Sequence, residues 1–314
     1  ESGVRCPASV VRIFRRFSYD YVFRICDSEP RTLDRLLMLE ITSANNPRLK
    51  MARKLQRRRA REQSGLCLLE GARLVADAWR AGVTLESVFI ARSFAAGLEQ
   101  TELLAALALG GTPLYLVEEA LLAGISDTVT PQGIVAVAPI PPAIPEIASG
   151  LVLVLDGIAD PGNAGTLLRS AVGAGAGLVI FGPEAVDAYS PKVLRAGVGA
   201  HFRIAIATCS AWAEVETLLG NERQLFVADA RGALGYDGVD WSLPSALIIG
   251  NEAHGPSQAA ASAAIPIAIP MQGGVESLNA AVAGSVILFE AARQRLLIGA
   301  GDGTALGVCD PSRD

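Results

Sequence analysis

Five polar residues stand where an α/β chain would do chemistry: Asn163, Arg169, Glu252, Ser277 and Asn279. Asn163 and Arg169 belong to Asp160-Pro-Gly-Asn-Ala-Gly-Thr-Leu-Leu-Arg-Ser-Ala171. Glu252 belongs to Ile249-Gly-Asn-Glu-Ala-His-Gly-Pro256, and Ser277 and Asn279 close Ile269-Pro-Met-Gln-Gly-Gly-Val-Glu-Ser-Leu-Asn279. Each segment follows an apolar, strand-like run, which places the five at strand ends, where parallel sheets bind ligands. An arginine in such a place suits contact with an anionic group, because a guanidinium held among apolar residues needs a negative partner.

Each residue also has a plainer reading. Asn163 can cap the helix that follows the Pro-Gly turn. Arg169, less than two turns on, lies among Leu167, Leu168, Ala171 and Val172, where a guanidinium needs an anionic partner. Glu252 alone is an ordinary helix-start acid, and Ser277 an N-cap. Asn279 opens a helix apolar enough to be buried, so its amide needs partners.

The elements that must hold these residues alternate along 150–297. Strands are expected at 151–156, 177–181, 202–205, 224–228, 245–249 and 264–269, and helices at 164–173, 192–198, 211–220, 256–261 and 277–297. Short apolar strands joined by helices make a mainly parallel sheet covered on both faces. Gly173-Ala-Gly-Ala-Gly177 is not a dinucleotide fingerprint: its glycines follow a helix and precede a strand, the reverse of the required order. No Walker lysine motif is present either.

Residues 40–138 read as a smaller α/β module, with one basic helix expected over 47–63. Strands are expected at 66–70, 85–91, 113–117 and 134–138, and helices at 71–81, 98–109 and 118–123. Four prolines in Pro139-Ile-Pro-Pro-Ala-Ile-Pro145 make 139–149 a stiff linker. Residues 1–39 form an N-terminal extension of different character, and Met38 is a candidate start. Asp20, Asp27, Glu29 and Asp34 argue against a transit peptide. The Gly- and Asp-rich segment 299–314 is expected to be a flexible tail.

The net charge of −5 hides an asymmetry. Between Asn45 and Ser64, eight basic residues meet one acid, whereas from Gly65 onward 12 basic residues face 25 acidic ones. A basic cluster on an otherwise acidic chain suggests a polyanion contact, through Arg48, Lys50, Arg53, Lys54, Arg57, Arg58 and Arg61. The alternative is a solvated helix face. Five scattered cysteines form no CxxC pair and only two histidines occur, so neither a zinc site, a disulfide framework nor a Ser/His/Asp triad is indicated. A reduced, cytoplasmic setting is the simplest reading. No apolar run reaches the roughly 18 residues of a membrane span.

The three motifs, in this order, closely resemble the signature of the SpoU-type RNA ribose 2′-O-methyltransferases of the SPOUT superfamily. Ser43-Ala-Asn-Asn-Pro47, with Leu55, Arg61 and Glu70-Gly71, resembles the ribosomal L30e-like RNA-binding domain that many such enzymes carry. The resemblance implies a C-terminal parallel-sheet domain with a deep trefoil knot over 150–298, preceded by the smaller substrate-binding domain. It implies S-adenosylmethionine held by the knot loops, with Gly250, Asn251, Ile269, Met271 and Leu278 as contacts, and a homodimer with active sites near the subunit interface. Asn251, His254 and Ala280-Ala281 depart from common family choices, and bear on the pocket's shape rather than its chemistry.

By the same analogy Arg169 is the key catalytic group. A guanidinium is a very poor base, so stabilising the developing alkoxide suits it better. Asn163, Glu252, Asn279 and Ser277 would orient it, the ribose and the cofactor, with no metal. Ribosomal RNA is the favoured substrate and transfer RNA the second. A non-catalytic RNA-binding protein of the same fold is the rival reading, and S-adenosylmethionine binding discriminates the two.

Overall fold

The computed structural model describes residues 38–97, 100–142, 150–272 and 276–301, and the side chains of these up to residue 297. The expectations for 1–37, for most of the proline-rich linker and for the segment after 301 lie outside these residues.

The first sheet has five strands: β1 (Leu39–Ile41), β2 (Leu66–Glu70), β3 (Ser87–Ala91), β4 (Leu114–Val117) and β5 (Ile134–Pro139), in the order β1-β4-β3-β5-β2. It is mixed: β5 runs antiparallel to both β2 and β3, while β4 runs parallel to β1 and β3. The three residues of β1 carry no alternation that would mark a strand in the sequence. Around the sheet lie α1 (Pro47–Lys54), α2 (Arg58–Ser64), α3 (Ala72–Arg80), α4 (Arg92–Ala95), α5 (Thr101–Leu109) and α6 (Glu119–Ala123).

The single basic helix expected over 47–63 is two helices. Asn46 caps α1, its side chain accepting from Arg48 N at 2.9 Å, with Pro47 at the first helical position. The helix stops after Lys54, and Arg57 is extended (φ −97°, ψ 132°) before α2 begins. The break has a tertiary cause. Leu49, Ala52 and Leu55 are fully buried under the first sheet's core, and the redirected second turn aims Arg61 inward, where it donates to Leu55 O at 2.6 Å.

The second sheet has seven strands: β6 (Leu151–Asp156), β7 (Leu178–Phe181), β8 (Ala205–Thr208), β9 (Gln224–Ala228), β10 (Leu234–Gly235), β11 (Ser245–Gly250) and β12 (Ile265–Ala268). Their order is β10-β12-β9-β11-β6-β7-β8, and every pairing is parallel. The central strands β6 and β11 are buried at every position, as uninterrupted apolar strands covered on both faces must be. Val152, Val154, Ile180, Val227 and Ile248 pack on one face against Val215 and Leu219 of α9 (Trp212–Leu219) and Ala260 of α10 (Gln258–Ala263). The other face carries α7 (Pro161–Gly173), α8 (Pro191–Gly197) and α11 (Ala280–Gly301).

β8 lies three residues beyond the strand expected at 202–205. Gly199 sits in the left-handed region (φ 75°) and starts a 3-10 turn, Ala200–Phe202, that swings His201 into the core. No helix among the described residues is long and apolar enough to cross a membrane.

Candidate active site at the strand ends of the second sheet

Parallel strands send their carboxyl ends to one edge of the sheet, so the loops after β6, β9, β11 and β12 gather there. The β6 loop enters α7 through Asp160, whose side chain accepts from Asn163 N at 2.7 Å. Asp160 is therefore the N-cap and Asn163 lies in the first turn, one step from the capping role its sequence suggests. That displacement frees the Asn163 amide for work outside its own helix.

The β11 loop turns back at once. Gly250 has no room for a Cβ, because Pro256 lies against it. Asn251 and Gly255 exchange backbone hydrogen bonds of 2.9 Å in both directions. Asn251 Nδ2 donates to Gly157 O at 2.7 Å, tying this loop to the end of β6, and its Oδ1 accepts from Ala253 N and His254 N. Beneath them, buried Asp156 accepts from Ser257 N at 2.6 Å.

Glu252 anchors the polar chain that runs through all three motifs. Its carboxylate accepts from Ala159 N at 3.1 Å, Asp160 N at 3.2 Å and Asn163 Nδ2 at 2.9 Å. Partial burial alone would raise its pKa, but hydrogen bonds from Asn163 and the backbone outweigh it and hold the acid below its ordinary value. Asn279 Nδ2 donates to Asn163 Oδ1 at 3.0 Å, and Asn279 Oδ1 accepts from Ala281 N and Val282 N. The order of donors follows from chemistry: an ionised carboxylate only accepts, so Asn163 must present its NH2 to Glu252 and its carbonyl to Asn279.

Asn279 is thus the cap of α11, where Ser277 was the expected one, and it is exposed rather than buried. The reason is that α11 starts at Ala280, later than the apolar pattern suggests. Ser277 instead lines a cavity of about 530 Å3 together with Gly250, Asn251, Glu252, Ile269, Met271, Leu278 and Asn279. All five residues expected to contact a cofactor are among these. Asp229 and Arg231, which carry no motif of their own, line it too. Asp229 accepts from Arg231 N at 2.9 Å and from its guanidinium, and this hydrogen bonding lowers its pKa. Asp229 directly follows the strand 224–228, so the strand-end rule could have found it.

Arg169 departs from its expectation. It lies on the exposed face of α7, one helical row with Gly162, Thr166 and Gly173, and the contacts described give it no anionic partner. It does not border the cavity within one chain. The apolar neighbours that suggested burial, Leu167, Leu168 and Ala171, occupy the opposite face. The basic cluster is also corrected at one position. Arg48, Lys50, Arg53, Lys54, Arg57 and Arg58 are exposed, whereas Arg61 is 4% exposed and paired with Asp187, which precedes α8 beside the second sheet. That pairing removes it from any outer phosphate-binding surface.

The fold has a solved counterpart. An S-adenosylmethionine-bound rRNA methyltransferase from Sinorhizobium meliloti superposes with a TM-score of 0.70 at 29% identity, covering 82% of this chain and 98% of that one. Fold and site together define an S-adenosylmethionine-dependent RNA methyltransferase of the SPOUT type. Residues 150–289 match the SpoU rRNA Methylase family and residues 46–136 match the MRM3-like substrate binding domain. The mouse mitochondrial rRNA methyltransferase 3 is 34% identical, over 74% of this chain and 69% of its own. The 23S rRNA (guanosine(2553)-2′-O)-methyltransferase of Bacillus subtilis is 29% identical, over 80% and 98%. The chain belongs to the SpoU rRNA methylase family.

Proposed function

We propose that the protein methylates a ribose 2′-hydroxyl of 23S ribosomal RNA as a homodimer. The observation that carries this reading is the Glu252–Asn163–Asn279 chain at the mouth of the cavity, which joins all three motifs at one strand-end site. The Bacillus relative's named reaction and the substrate-binding match over 46–136 support the RNA class.

The cavity's walls fit the cofactor. Ile249, Ile269, Met271 and Leu278 line it with apolar surface, and Asn251, Glu252 and Asp229 with polar groups. Gly250, Asn251, Ile269, Met271 and Leu278 would hold S-adenosylmethionine, which supplies an electrophilic methyl group when bound. The protein's remaining task is to orient the ribose oxygen and stabilise charge on it as its proton leaves. Arg169 would do the second. Asn163 and Asn279, held in one sense by Glu252, would position the ribose, and Ser277 would shape the join between ribose and cofactor.

A second copy would complete the site. Val282, Val286 and Phe289 form an exposed apolar stripe along α11, 49%, 37% and 52% accessible, and a stripe this apolar fits a partner better than water. Beside it runs α7, joined to α11 by the Ser170–Ser285 hydrogen bond and by Phe289 lying over Gly173. An isologous contact along these helices would cover Arg169's face and bring it to a shared active site. The knotted path expected of the family belongs to the same reading, supported by the β11 loop and the approach to α11 sharing one cavity. We also place the protein in a reducing, cytoplasmic setting, which suits buried, unpaired Cys67 and Cys209. We also place a division between a substrate-binding and a catalytic domain in the connection between β5, which ends at Pro139, and β6.

The test is methyl transfer from labelled S-adenosylmethionine to RNA from a strain lacking the enzyme, followed by digestion to nucleosides. Label in 2′-O-methyl nucleosides of 23S rRNA that vanishes with Arg169→Ala is the expected result. Label only in transfer RNA, or cofactor binding without transfer, would overturn it.

A further inference from the structure

The two sheets are joined by a reciprocal pair of charged contacts. Arg61, from α2 beside the first sheet, reaches Asp187 in the loop before α8. Arg195, from α8, reaches back to Glu70 at 3.1 Å and Asp127 at 2.7 Å. Glu70 is 6% exposed, and it also accepts from Ser126 Oγ, Thr128 Oγ1 and Asp127 N. Asp187 in turn accepts from Tyr189 N at 2.9 Å. A third contact is purely steric: a Cβ on Gly199 would stand 2.8 Å from Asp77 Cβ of α3.

Buried ion pairs of this kind add little net stability, because desolvation offsets their attraction; what they fix is geometry. Here they fix it along a continuous path. Helix α2 carries outward Arg58 and Arg59 and inward Arg61, with exposed Arg57 as its N-cap. Helix α8 covers β2, the edge strand of the first sheet that ends in Glu70. On its other side α8 meets α7 backbone to backbone, since Gly165 has no space for a methyl against Ala196 and Gly197. α7 carries Asn163 and Arg169. Rigid packing leaves no soft layer between the basic surface and the site.

We propose that Arg61 and Arg195 are positioning residues: they lock the RNA-binding module to the catalytic helix, so that the basic surface delivers one ribose to the site. The inference rests on the function proposed above. Neither arginine lines the cavity; both act through α8 and α7. Misplacement of about 1 Å can cost on the order of 100-fold when the reacting groups must align, so loosening this joint should be felt in substrate use rather than in cofactor binding.

The experiment compares the full-length wild type with Arg195→Gln, Arg195→Lys and the charge-neutral pair Arg61→Gln/Asp187→Asn, the last leaving no buried charge unpaired. Melting temperature and calorimetric S-adenosylmethionine affinity establish that each variant is folded and loads its cofactor. Kinetics then use unmodified 23S rRNA and a short hairpin containing the methylated nucleotide, with the methylated position mapped. The expected result is a rise of about tenfold or more in KM for intact rRNA. S-adenosylmethionine affinity should stay within twofold, the preference for intact rRNA over hairpin should fall, label should stray to neighbouring riboses, and Arg195→Lys should recover the wild-type pattern. Unchanged KM and an unchanged methylated position in the folded variants would overturn the inference and leave the proposed function standing. So would a parallel loss of kcat and cofactor affinity, the mark of a merely structural role. A wild type that methylates no RNA overturns the function itself and this inference with it.

Discussion

Two arginine-bearing helices, α2 and α7, turn out opposite to their sequences. Arg61 belongs to the most basic stretch of the chain, yet it is buried and paired. Arg169 sits among leucines and alanines, yet it is exposed, with no ion-pair partner among the described residues. Local composition describes the company a residue keeps along the chain. Burial is decided by what arrives from elsewhere, here Asp187, 126 residues away. The contrast separates two placements of one side chain: a cation buried against a carboxylate near the second sheet, and one exposed on α7.

The sharpest way to break this contrast is to remove each arginine. Arg61→Ala strands Asp187 as a partly buried, unpaired carboxylate and should destabilise the fold by roughly 3–5 kcal/mol, read as a loss in denaturant midpoint. Arg169→Ala should leave that midpoint and S-adenosylmethionine affinity where they were while cutting methyl transfer by about 100- to 1,000-fold. A large stability loss from Arg169→Ala, or none from Arg61→Ala, would erase the distinction.

A third prediction concerns pH near the same joint. His201 is fully buried against Gly197 of α8, its Nε2 bonded to Ala188 O at 2.8 Å and its Nδ1 without a hydrogen-bond partner among the described residues. Burial drives its pKa down to about 4. Below an unfolded value near 6.5, the unfolded chain binds a proton that the native state refuses, so stability should fall as pH drops from about 6.5 toward 4 and hold above that window. The full effect is about 3 kcal/mol, since each tenfold loss of proton affinity is worth about 1.4 kcal/mol. His201→Gln should flatten the acid limb of a melting-temperature profile; an equally steep limb would assign the acid sensitivity to other groups.

The smallest effects should come from the outer cations. Lys50→Ala and Arg57→Ala should each weaken RNA binding similarly across sequences and reduce the salt slope by about one ion. Arg58→Ala removes a pair with Glu62 that is more than half exposed on both sides, and should change stability by less than about 0.5 kcal/mol.

Much of the architecture was legible because the strands of the second sheet are short apolar runs separated by helical patterns. The site was legible as a set of strand ends, and Asn163, Glu252, Ser277 and Asn279 do meet there. What local pattern could not show were features set by distant neighbours. The α1–α2 break answers to Leu55 and Arg61 packing inward. The displaced β8 answers to the left-handed Gly199. The cap of α11 passes from Ser277 to Asn279 because Asn279 is also bonded to Asn163 across 116 residues.

The position of β2 has one more consequence. A strand at the margin of a sheet offers unpaired backbone groups to any passing chain, and proteins blunt or cover such margins. β2 is buried at four of its five positions and lies beneath α8, so its covering belongs to the neighbouring module. The small module therefore cannot be traded freely between enzymes as an interchangeable part. Excised, it would carry a sticky apolar border and a stranded Arg61, and a functional transplant would have to bring α8 along with it.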